Sequence, residues 1–239
     1  SSKMINRHGQ NLFCPFFIFF LYFYNFKGIC VRISAKVMKM TKVVLENQMN
    51  EICDVIQKGG IVAFPTETVY GVGIHFNDEE ALDRLMEAKN RDYSKAITLM
   101  VADKADISQY AYISPQAQKM IDQFMPGMIT LIFKKKESVR DSMTNGKSTI
   151  GIRIPDSEFV LSLLKKVGPM LVTSANLSQH SNTTSTQEVL NQLDGRIDLV
   201  VDGKTSDNIA STVVDVSQDE IKILRAGKIT KEQIEEAIK

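Results

Sequence analysis

The sequence predicts an α/β fold, because short apolar segments alternate along the chain with amphipathic segments. Apolar runs such as 60–64 and 170–173 have the length and the polar or glycine-containing boundaries of buried strands. Apolar residues three or four positions apart, as at Met49, Ile52 and Ile56, are typical of a helix. There is no internal repeat or long linker, so the 239 residues are expected to form one domain preceded by a segment of different composition.

The elements follow in a regular order. The first helix leads into the strand at 60–64, and Asn77 with Glu80 fits the N-cap and capping box of a second helix. The buried stripe of that helix consists of Leu82, Leu85, Met86 and, at the next position, Lys89. Further strands are predicted at 97–101, 129–133, 148–155, 170–173, 197–201, 212–216 and 221–224. Helices are predicted after Ser114-Pro115, over 157–167 and after Thr230.

The most polar strand end follows residue 64, where Pro65 ends the strand and a Thr-Glu-Thr-Val-Tyr segment begins. We predict a turn here, closed by Gly71 and Gly73, where the backbone can approach a ligand without an intervening Cβ. A polar corner of this kind is either an ordinary strand-to-loop connection or a binding site. Its own residues leave both interpretations open.

Two cations lie at the end of the second helix. Lys89 is on the core-facing side of the last turn, where a lysine can also interact with the helix dipole or extend its amine to solvent. Arg91 comes just past the helix end. Two cations directed from one helix terminus to the same interior region repel each other unless an anion lies between them, so the pair indicates an anion site.

The strand at 148–155 alternates strictly, which places three isoleucines on one face and Thr149, Gly151 and Arg153 on the other. The isoleucines are predicted core. Arg153 beside a glycine and a hydroxyl suits a carboxylate or phosphate bound bidentately, although a solvent-facing arginine would give the same pattern.

The strand at 170–173 ends in Ser174 and Asn176, which place a hydroxyl and an amide close together at a strand tip. These side chains either cap a turn or contact a ligand.

Residues 1–40 differ from the rest of the chain. They contain six Lys or Arg and no Asp or Glu, and residues 13–26 hold nine of the eighteen Phe and Tyr residues. The uncharged apolar stretch is short for a transmembrane helix, and no small-residue cleavage site supports a signal peptide. We interpret this segment as a translated upstream extension outside the fold, with the working start near Met38 or Met40.

Charge and composition exclude several classes of protein. Of 29 basic residues, removing the six in 1–40 leaves 23 against 28 acidic residues, so the predicted domain at 41–239 is mildly acidic. Broad nonspecific binding of nucleic acid is therefore disfavoured. The three cysteines and three histidines have no metal-ligand spacing, which is consistent with a reducing cytosol, no disulfides and no resident metal.

Seven motifs occur in the order and approximate spacing of the Sua5/YrdC/YwlC family, which the chain resembles over roughly residues 46 to 230. They are PTETVYG at 65–71, KNR at 89–91, PGMIT at 126–130, GIRIP at 151–155, TSANLS at 173–178, STVVD at 211–215 and LRAG at 224–227. Seven ordered motifs are far more specific than any one of them. The resemblance implies a single, short-form YrdC-like domain: an open twisted mixed sheet flanked by helices, with a positively lined cleft.

Members of this family are threonylcarbamoyl-AMP synthases. The resemblance implies that L-threonine, bicarbonate and ATP with Mg²⁺ yield threonylcarbamoyl-AMP and pyrophosphate for the t6A modification of tRNA. Partner proteins would transfer the threonylcarbamoyl group, contact with tRNA would be indirect or weak, and no membrane is involved. By this resemblance the catalytic, nucleotide-facing residues are Lys89, Arg91, Ser174 and Asn176, and Thr149, Thr184 and Arg225 also bind ATP. Those that match its threonine side are Thr66, Thr68, Arg153, Ser174 and Ser211.

The motifs depart from the common family pattern after Arg91. Asp92 stands where many members have proline, Ala96 and Ile97 replace Pro-Leu, and Met100 lies near a position that is often histidine. A noncatalytic protein that binds double-stranded RNA or assists ribosome maturation through the same cleft is the alternative function. A carbamoyltransferase module of the hydrogenase-maturation kind is disfavoured, because the chain has no zinc-finger cysteines.

Overall fold

The computed structural model describes residues 40–95 and 97–239. The predicted extension at 1–40 therefore lies outside the described residues except for Met40, and Ala96 lies outside them as well. The described helices are α1 (Met49–Gln57), α2 (Glu79–Ala88), α3 (Lys104–Tyr110), α4 (Pro115–Phe124), α5 (Glu158–Val167), α6 (Thr186–Leu193) and α7 (Lys231–Ile238), with a short 3-10 helix at Asp141–Thr144.

The described strands are β1 (Lys42–Val44), β2 (Val62–Phe64), β3 (Gly71–His75), β4 (Thr98–Met100), β5 (Ile129–Lys134), β6 (Thr149–Arg153), β7 (Met170–Ser174), β8 (Leu199–Val201), β9 (Thr212–Asp215) and β10 (Lys222–Arg225). In the part of the chain that is described they form one ten-stranded sheet in the order β1-β8-β2-β3-β7-β4-β6-β5-β9-β10. The sheet is mixed: β5 pairs with β9 in parallel and with β6 antiparallel, for example. The α/β fold and the mixed sheet predicted from the sequence are confirmed.

Helices cover both faces of the sheet. On one face, α1 and α5 pack on residues of β1, β2, β4, β7 and β8. The opposite face carries the larger core, to which α2, α4, α6 and α7 contribute. The three isoleucines at 150, 152 and 154 belong to that larger core, as their alternation predicts. Gly151 and Arg153 consequently face the α1 and α5 side.

The helix ends follow ordinary capping chemistry. Ser114, Ser157, Ser185 and Thr230 each accept a hydrogen bond from a backbone amide three residues along. The predicted N-cap of α2 is wrong by one residue: Asp78 Oδ1 accepts from the Ala81 amide at 2.9 Å. Asn77 instead has a positive φ of 69°, which asparagine tolerates better than most residues.

The predicted turn closed by Gly71 and Gly73 is also wrong, because both glycines lie inside β3. A Cβ on either glycine would come within 2.9 Å of the Val172 side chain in β7. Glycine therefore allows β3 and β7 to approach closely rather than allowing the chain to reverse. The polar corner is confined to residues 65–70.

Besides β3 and the 3-10 helix, three described elements were not predicted. Strand β1 has only three residues at the sheet edge, and α3 has seven, so each offers too few repeats of the apolar pattern to be recognised. Helix α6 did offer a signal, since Ser185 followed by Glu188 is a capping-box sequence. Among the described helices, none combines the length and apolar character needed to cross a membrane.

Candidate active site

A cavity of about 210 Å³ lies on the α1 and α5 side of the sheet. It is bordered by the polar corner at 65–70, by β4, β5, β6 and β7, and by the segment leading into β9. Seven of the predicted site residues line it: Thr66, Thr68, Arg91, Arg153, Ser174, Ser211 and Arg225. These residues are far apart in sequence, so the sheet order brings them together.

Tyr70 fixes the polar corner to the rest of the domain. Its amide donates to Thr183 O at 2.8 Å, its carbonyl accepts from the Ala175 amide at 2.7 Å, and its hydroxyl donates to Val201 O at 3.0 Å. The side chain is fully buried, and burial raises the pKa of Tyr70 to about 12. The corner is thus held directly beside Ser174 by backbone contacts as well as by packing.

Inside the corner, hydroxyl groups form a directed chain. Thr66 Oγ1 donates to Val69 O at 2.8 Å, which uses its single hydrogen. Thr68 Oγ1 must therefore be the donor in its 2.9 Å bond to Thr66 Oγ1. Thr68 Oγ1 in turn accepts from Arg153 Nη2 at 3.0 Å.

This chain leaves the two threonines with different capacities. Thr66 Oγ1 accepts from the Thr68 hydroxyl and also from the Thr68 amide at 3.1 Å, so its donor and both lone pairs are used. Thr68 Oγ1 donates once and accepts once, which leaves one lone pair. Of the two, Thr68 is the residue that can accept a hydrogen bond from a ligand.

Arg153 is buried and paired with a carboxylate. Its Nη2 donates to Glu67 Oε1 at 2.7 Å as well as to Thr68, so both hydrogens of Nη2 are engaged. Glu67 Oε1 also accepts from the Asp156 amide at 3.0 Å. Arg153 Nε is buried and has no hydrogen-bond partner among the described residues. The residue itself lines the cavity, so its guanidinium is held at the cavity wall by Glu67 and Thr68.

A second polar group borders the cavity at the start of β9. Arg225 Nε and Nη2 donate to Ser211 O at 3.0 and 2.8 Å, and Nη2 reaches Ser211 Oγ at 3.1 Å. Ser211 Oγ also lies 2.9 Å from Thr130 Oγ1 of β5. In the parallel pairing of β5 with β9, Thr130 stands opposite Val213, so Ser211, two positions before Val213, lies on the same face of the sheet as Thr130.

Within the described residues, three arginines line the cavity: Arg91, Arg153 and Arg225. Burial lowers the pKa of Arg91 and, together with the nearby charge of Arg153, that of Arg225. These shifts show that the cationic forms are held at an energetic cost. Because guanidinium groups in general remain charged in proteins, the cavity is suited to anions.

Lys89 is buried just outside the cavity lining. Its ammonium donates to the carbonyls of Ser174 and Asn176, and its own carbonyl accepts from the Ser178 amide at 2.9 Å. Burial, and then the like charges of Arg91 and Lys95, lower the pKa of Lys89 to about 7. Lys89 thus shapes the 174–178 loop that carries Ser174 into the cavity.

Asn176, Thr149 and Thr184 were also predicted as site residues and do not line the cavity in the described part of the chain. The Asn176 amide nitrogen donates to Leu177 O and His180 O at 2.9 and 2.7 Å, an arrangement that stabilises the same loop. Thr184 lines a separate open cavity and donates to Glu188 Oε2 at 3.1 Å.

Several cavity residues were not predicted. Thr98, Met100, Thr130 and Thr173 line it, all on strands. Thr130 belongs to a motif that the sequence displays, but its contact with Ser211 crosses 81 residues and leaves no local signal. Met100 alternates with Leu99, a core residue, so period-two reasoning indicates that it faces the other side of the sheet.

The described residues contain no group of three or more His, Cys, Asp or Glu side chains that could hold a metal ion. Hydroxyl and guanidinium groups supply most of the polar groups of the cavity wall. The fold and the cavity together define an α/β protein with a cationic, hydroxyl-lined site on one face of a mixed sheet.

Comparison with known proteins identifies the family. The family model for Sua5, YciO and YrdC proteins, described as telomere recombination, matches residues 54–227. A threonylcarbamoyl-AMP synthase of Bacillus subtilis is 36% identical over 195 residues, covering 80% of this chain and 56% of that protein. A putative threonylcarbamoyl-AMP synthase of Methanocaldococcus jannaschii is 35% identical over 189 residues, covering 79% of this chain and 87% of that protein. The chain belongs to the Sua5/YciO/YrdC family, which confirms the resemblance seen in the motifs.

A solved structure supports the same assignment. The crystal structure of P. abyssi Sua5 complexed with L-threonine superimposes with a TM-score of 0.77 at 32% identity, covering 83% of this chain and 60% of that one. The chain therefore spans little more than half the length of the B. subtilis and P. abyssi relatives.

Proposed function

We propose that this protein is an L-threonylcarbamoyladenylate synthase. The observation that carries the proposal is the cavity itself, where three arginines, a buried unpartnered Nε–H and several hydroxyls converge within the described residues. The names of the B. subtilis and M. jannaschii relatives and the threonine complex of the P. abyssi protein support it. The finer assignments below are part of the proposal.

The proposed chemistry brings two anions together. The threonine amine and bicarbonate form a carbamate and release water; a carbamate oxygen then attacks the α-phosphorus of ATP, and the bond to pyrophosphate breaks. Two unit charges 4 Å apart repel by about 4 kcal/mol at an effective dielectric constant of about 20. Fixed cations around the reacting groups offset this repulsion without having to reorganise, so catalysis comes chiefly from placement and charge.

Arg153, Thr68 and Ser211 are proposed to bind threonine. The Arg153 guanidinium, which lines the cavity, can donate to the carboxylate, and Thr68 Oγ1 has one lone pair for a donor such as the substrate hydroxyl or amine. Ser211 lies across the cavity beside Thr130. Thr66, with its hydroxyl fully engaged, supports Thr68.

Arg91, Ser174 and Arg225 are proposed to face the nucleotide. Arg91 comes from the end of α2, whereas Ser174 ends β7 and Arg225 ends β10, so the phosphates would be approached from three directions. Lys89 and Asn176 contribute through the loop that they order. Thr149 and Thr184 remain predicted nucleotide contacts, at positions outside the cavity lining.

The size of the cavity limits what it encloses. Pockets for drug-sized ligands have volumes of about 300–1,000 Å³. At about 210 Å³, this cavity suits the amino acid and the reacting groups, and the remainder of a nucleotide would extend beyond it.

Mg²⁺ is proposed to arrive with ATP rather than as a resident ion. The wall offers hydroxyls and guanidinium groups, and Glu67, whose Oε1 is engaged by Arg153 and the Asp156 amide, is not among the lining residues, so this donor set fits a metal held by phosphate oxygens. Such an ion would neutralise charge on the triphosphate. The product would then pass to threonylcarbamoyl-transferase proteins that modify tRNA, which is a cytoplasmic process by family resemblance.

The test is pyrophosphate release from ATP and bicarbonate, measured with and without L-threonine, together with identification of the adenylate by mass spectrometry. Threonine-dependent release is expected. Pyrophosphate release that does not depend on threonine, or no release of pyrophosphate, would contradict the proposal. In that case, tight binding of double-stranded RNA by the same preparation would favour the noncatalytic alternative.

A further inference from the structure

Glu67 is a buried carboxylate for which the proposed reaction has no direct use. Only 8% of the residue is exposed, and it is not among the residues that line the cavity. A carboxylate removed from water needs compensating partners. Glu67 has two, Arg153 Nη2 and the Asp156 amide, both on Oε1.

These contacts join three separate parts of the fold. Glu67 lies in the corner after β2, Arg153 ends β6, and Asp156 lies in the turn between β6 and α5. The hydrogen bond that Arg153 Nη2 donates to Oε1 fixes the orientation of the guanidinium. The hydrogen bond that the Asp156 amide donates fixes the position of Oε1 itself. The carboxylate is therefore a rigid anchor rather than a mobile counterion.

The hydrogens of Arg153 show what the anchor achieves. Glu67 and Thr68 together occupy both hydrogens of Nη2, whereas Nε makes no hydrogen bond to any described residue. Rotation of the guanidinium would break two short bonds at once. The orientation of the guanidinium at the cavity wall is thus imposed by two residues that lie 86 and 85 positions away in sequence.

We infer that Glu67 is a positioning residue, which orients Arg153 so that its guanidinium meets the carboxylate of the amino-acid substrate. This inference rests on the proposed function. Glu67 acts through Arg153 and does not contact the substrate. A role as general base is a different hypothesis, and it requires a carboxylate that reaches the cavity.

Two substitutions separate these roles. Glu67→Gln retains an oxygen that can accept from both Arg153 and the Asp156 amide, so it should keep the geometry and remove only the charge. Glu67→Ala removes the anchor. We expect Glu67→Ala to raise the KM for threonine roughly tenfold or more, with kcat and the KM for ATP changed by less than about threefold. Glu67→Gln should restore most of the affinity for threonine.

A double-mutant cycle tests whether Glu67 acts through Arg153. In an Arg153→Ala background, adding Glu67→Ala should change the threonine dissociation constant by less than about twofold, because there is no guanidinium left to orient. Glu220→Ala is the matched control, since Glu220 is an exposed carboxylate paired with Lys222 at 3.3 Å and is not among the residues that line the cavity. It should leave both substrates unaffected.

The threonine titrations by calorimetry need no turnover, so failures can be told apart. If the wild-type protein binds no threonine, the proposed function fails and this inference fails with it. If the wild type binds threonine and Glu67→Ala binds it equally well, only the role of Glu67 is refuted. A collapse of kcat in folded Glu67→Gln would also overturn positioning and would favour a base. Equal losses for ATP and threonine in Glu67→Gln, with a lower melting temperature, would show a merely structural carboxylate.

Discussion

Lys89 and Arg153 are both buried cations next to one cavity, and they are used differently. Only 1% of Lys89 and 5% of Arg153 is exposed. The ammonium of Lys89 is directed to two backbone carbonyls of the 174–178 loop. The guanidinium of Arg153 is held by a carboxylate and a hydroxyl and still has a donor to offer.

The difference lies in how the charge is compensated. Arg153 has the formal negative charge of Glu67 at 2.7 Å. Lys89 has only backbone dipoles as the partners described above, and burial, followed by the like charges of Arg91 and Lys95, lowers its pKa to about 7. A buried cation at a site is therefore not necessarily a ligand contact. Arg153 has the geometry to bind an anion in the cavity. Lys89 instead organises the 174–178 loop, which brings Ser174 to the cavity wall.

Lys89→Met should give the largest effect on stability. The substitution leaves the carbonyls of Ser174 and Asn176 buried without their donor, at about 1–3 kcal/mol each. We expect the free energy of unfolding to fall by about 2–5 kcal/mol in urea denaturation. An unchanged unfolding midpoint would show that the ammonium is free to serve a ligand instead.

Arg91→Ala should affect turnover more than folding. Arg91 lines the cavity from the end of α2, so truncation removes charge at the proposed phosphate position without opening the main core. We expect kcat to fall about 100-fold, equivalent to about 2.7 kcal/mol, with a melting temperature close to that of the wild type. If Arg91→Ala and Lys89→Met lose stability and turnover in the same proportion, the proposed difference between the roles of the two cations is wrong.

Arg153→Lys tests the threonine side. Lysine keeps the charge but cannot hold Glu67 and Thr68 while presenting a third donor in the same plane. The KM for threonine should rise roughly tenfold or more, about 1.4 kcal/mol, and ATP binding should change much less. Calorimetric titration with each ligand measures this, and equal weakening of both would assign Arg153 to the phosphates or to the fold.

The pKa of Lys89 predicts a pH dependence of stability. The pKa is about 7 in the folded protein against 10.5 ordinarily, so between these values the unfolded chain binds the proton and the folded chain does not. Raising the pH through this window therefore stabilises the folded state, by at most about 1.4 kcal/mol per pH unit. The difference in unfolding free energy between wild type and Lys89→Met should grow from pH 7 to pH 9; a constant difference would contradict the lowered pKa.

Thr68→Val should give the smallest effect. It removes the one hydroxyl in the corner that has a lone pair available, and it frees one Nη2 hydrogen of Arg153. We expect a loss of about 0.5–1.5 kcal/mol in threonine binding. The paired variant Thr66→Val should act mainly on melting temperature, because the Thr66 hydroxyl is saturated within the corner.

The sequence predicted which side chains are buried better than it predicted their partners. Period-two alternation placed Arg153 on the face opposite the isoleucines, and the helical stripe placed Lys89 inward. Their partners are 85 to 87 residues away, and no local pattern encodes such a distance. Glu67 is visible in a motif, but its pairing depends on how β2 and β6 are arranged in the sheet.

The parallel pairing of β5 with β9 has a consequence for synthesis of the protein. Ile129 aligns with Thr212, so β5 is synthesised more than eighty residues before β9, the strand with which it pairs in parallel. Ser211 and Arg225 belong to that late segment, and the parallel arrangement cannot be replaced by a local hairpin. On the ribosome, the cavity can therefore close only after residue 225 has emerged. Until then, the edge of β5 that will pair with β9 is unpaired. An unpaired strand edge exposes a nascent chain to mispairing.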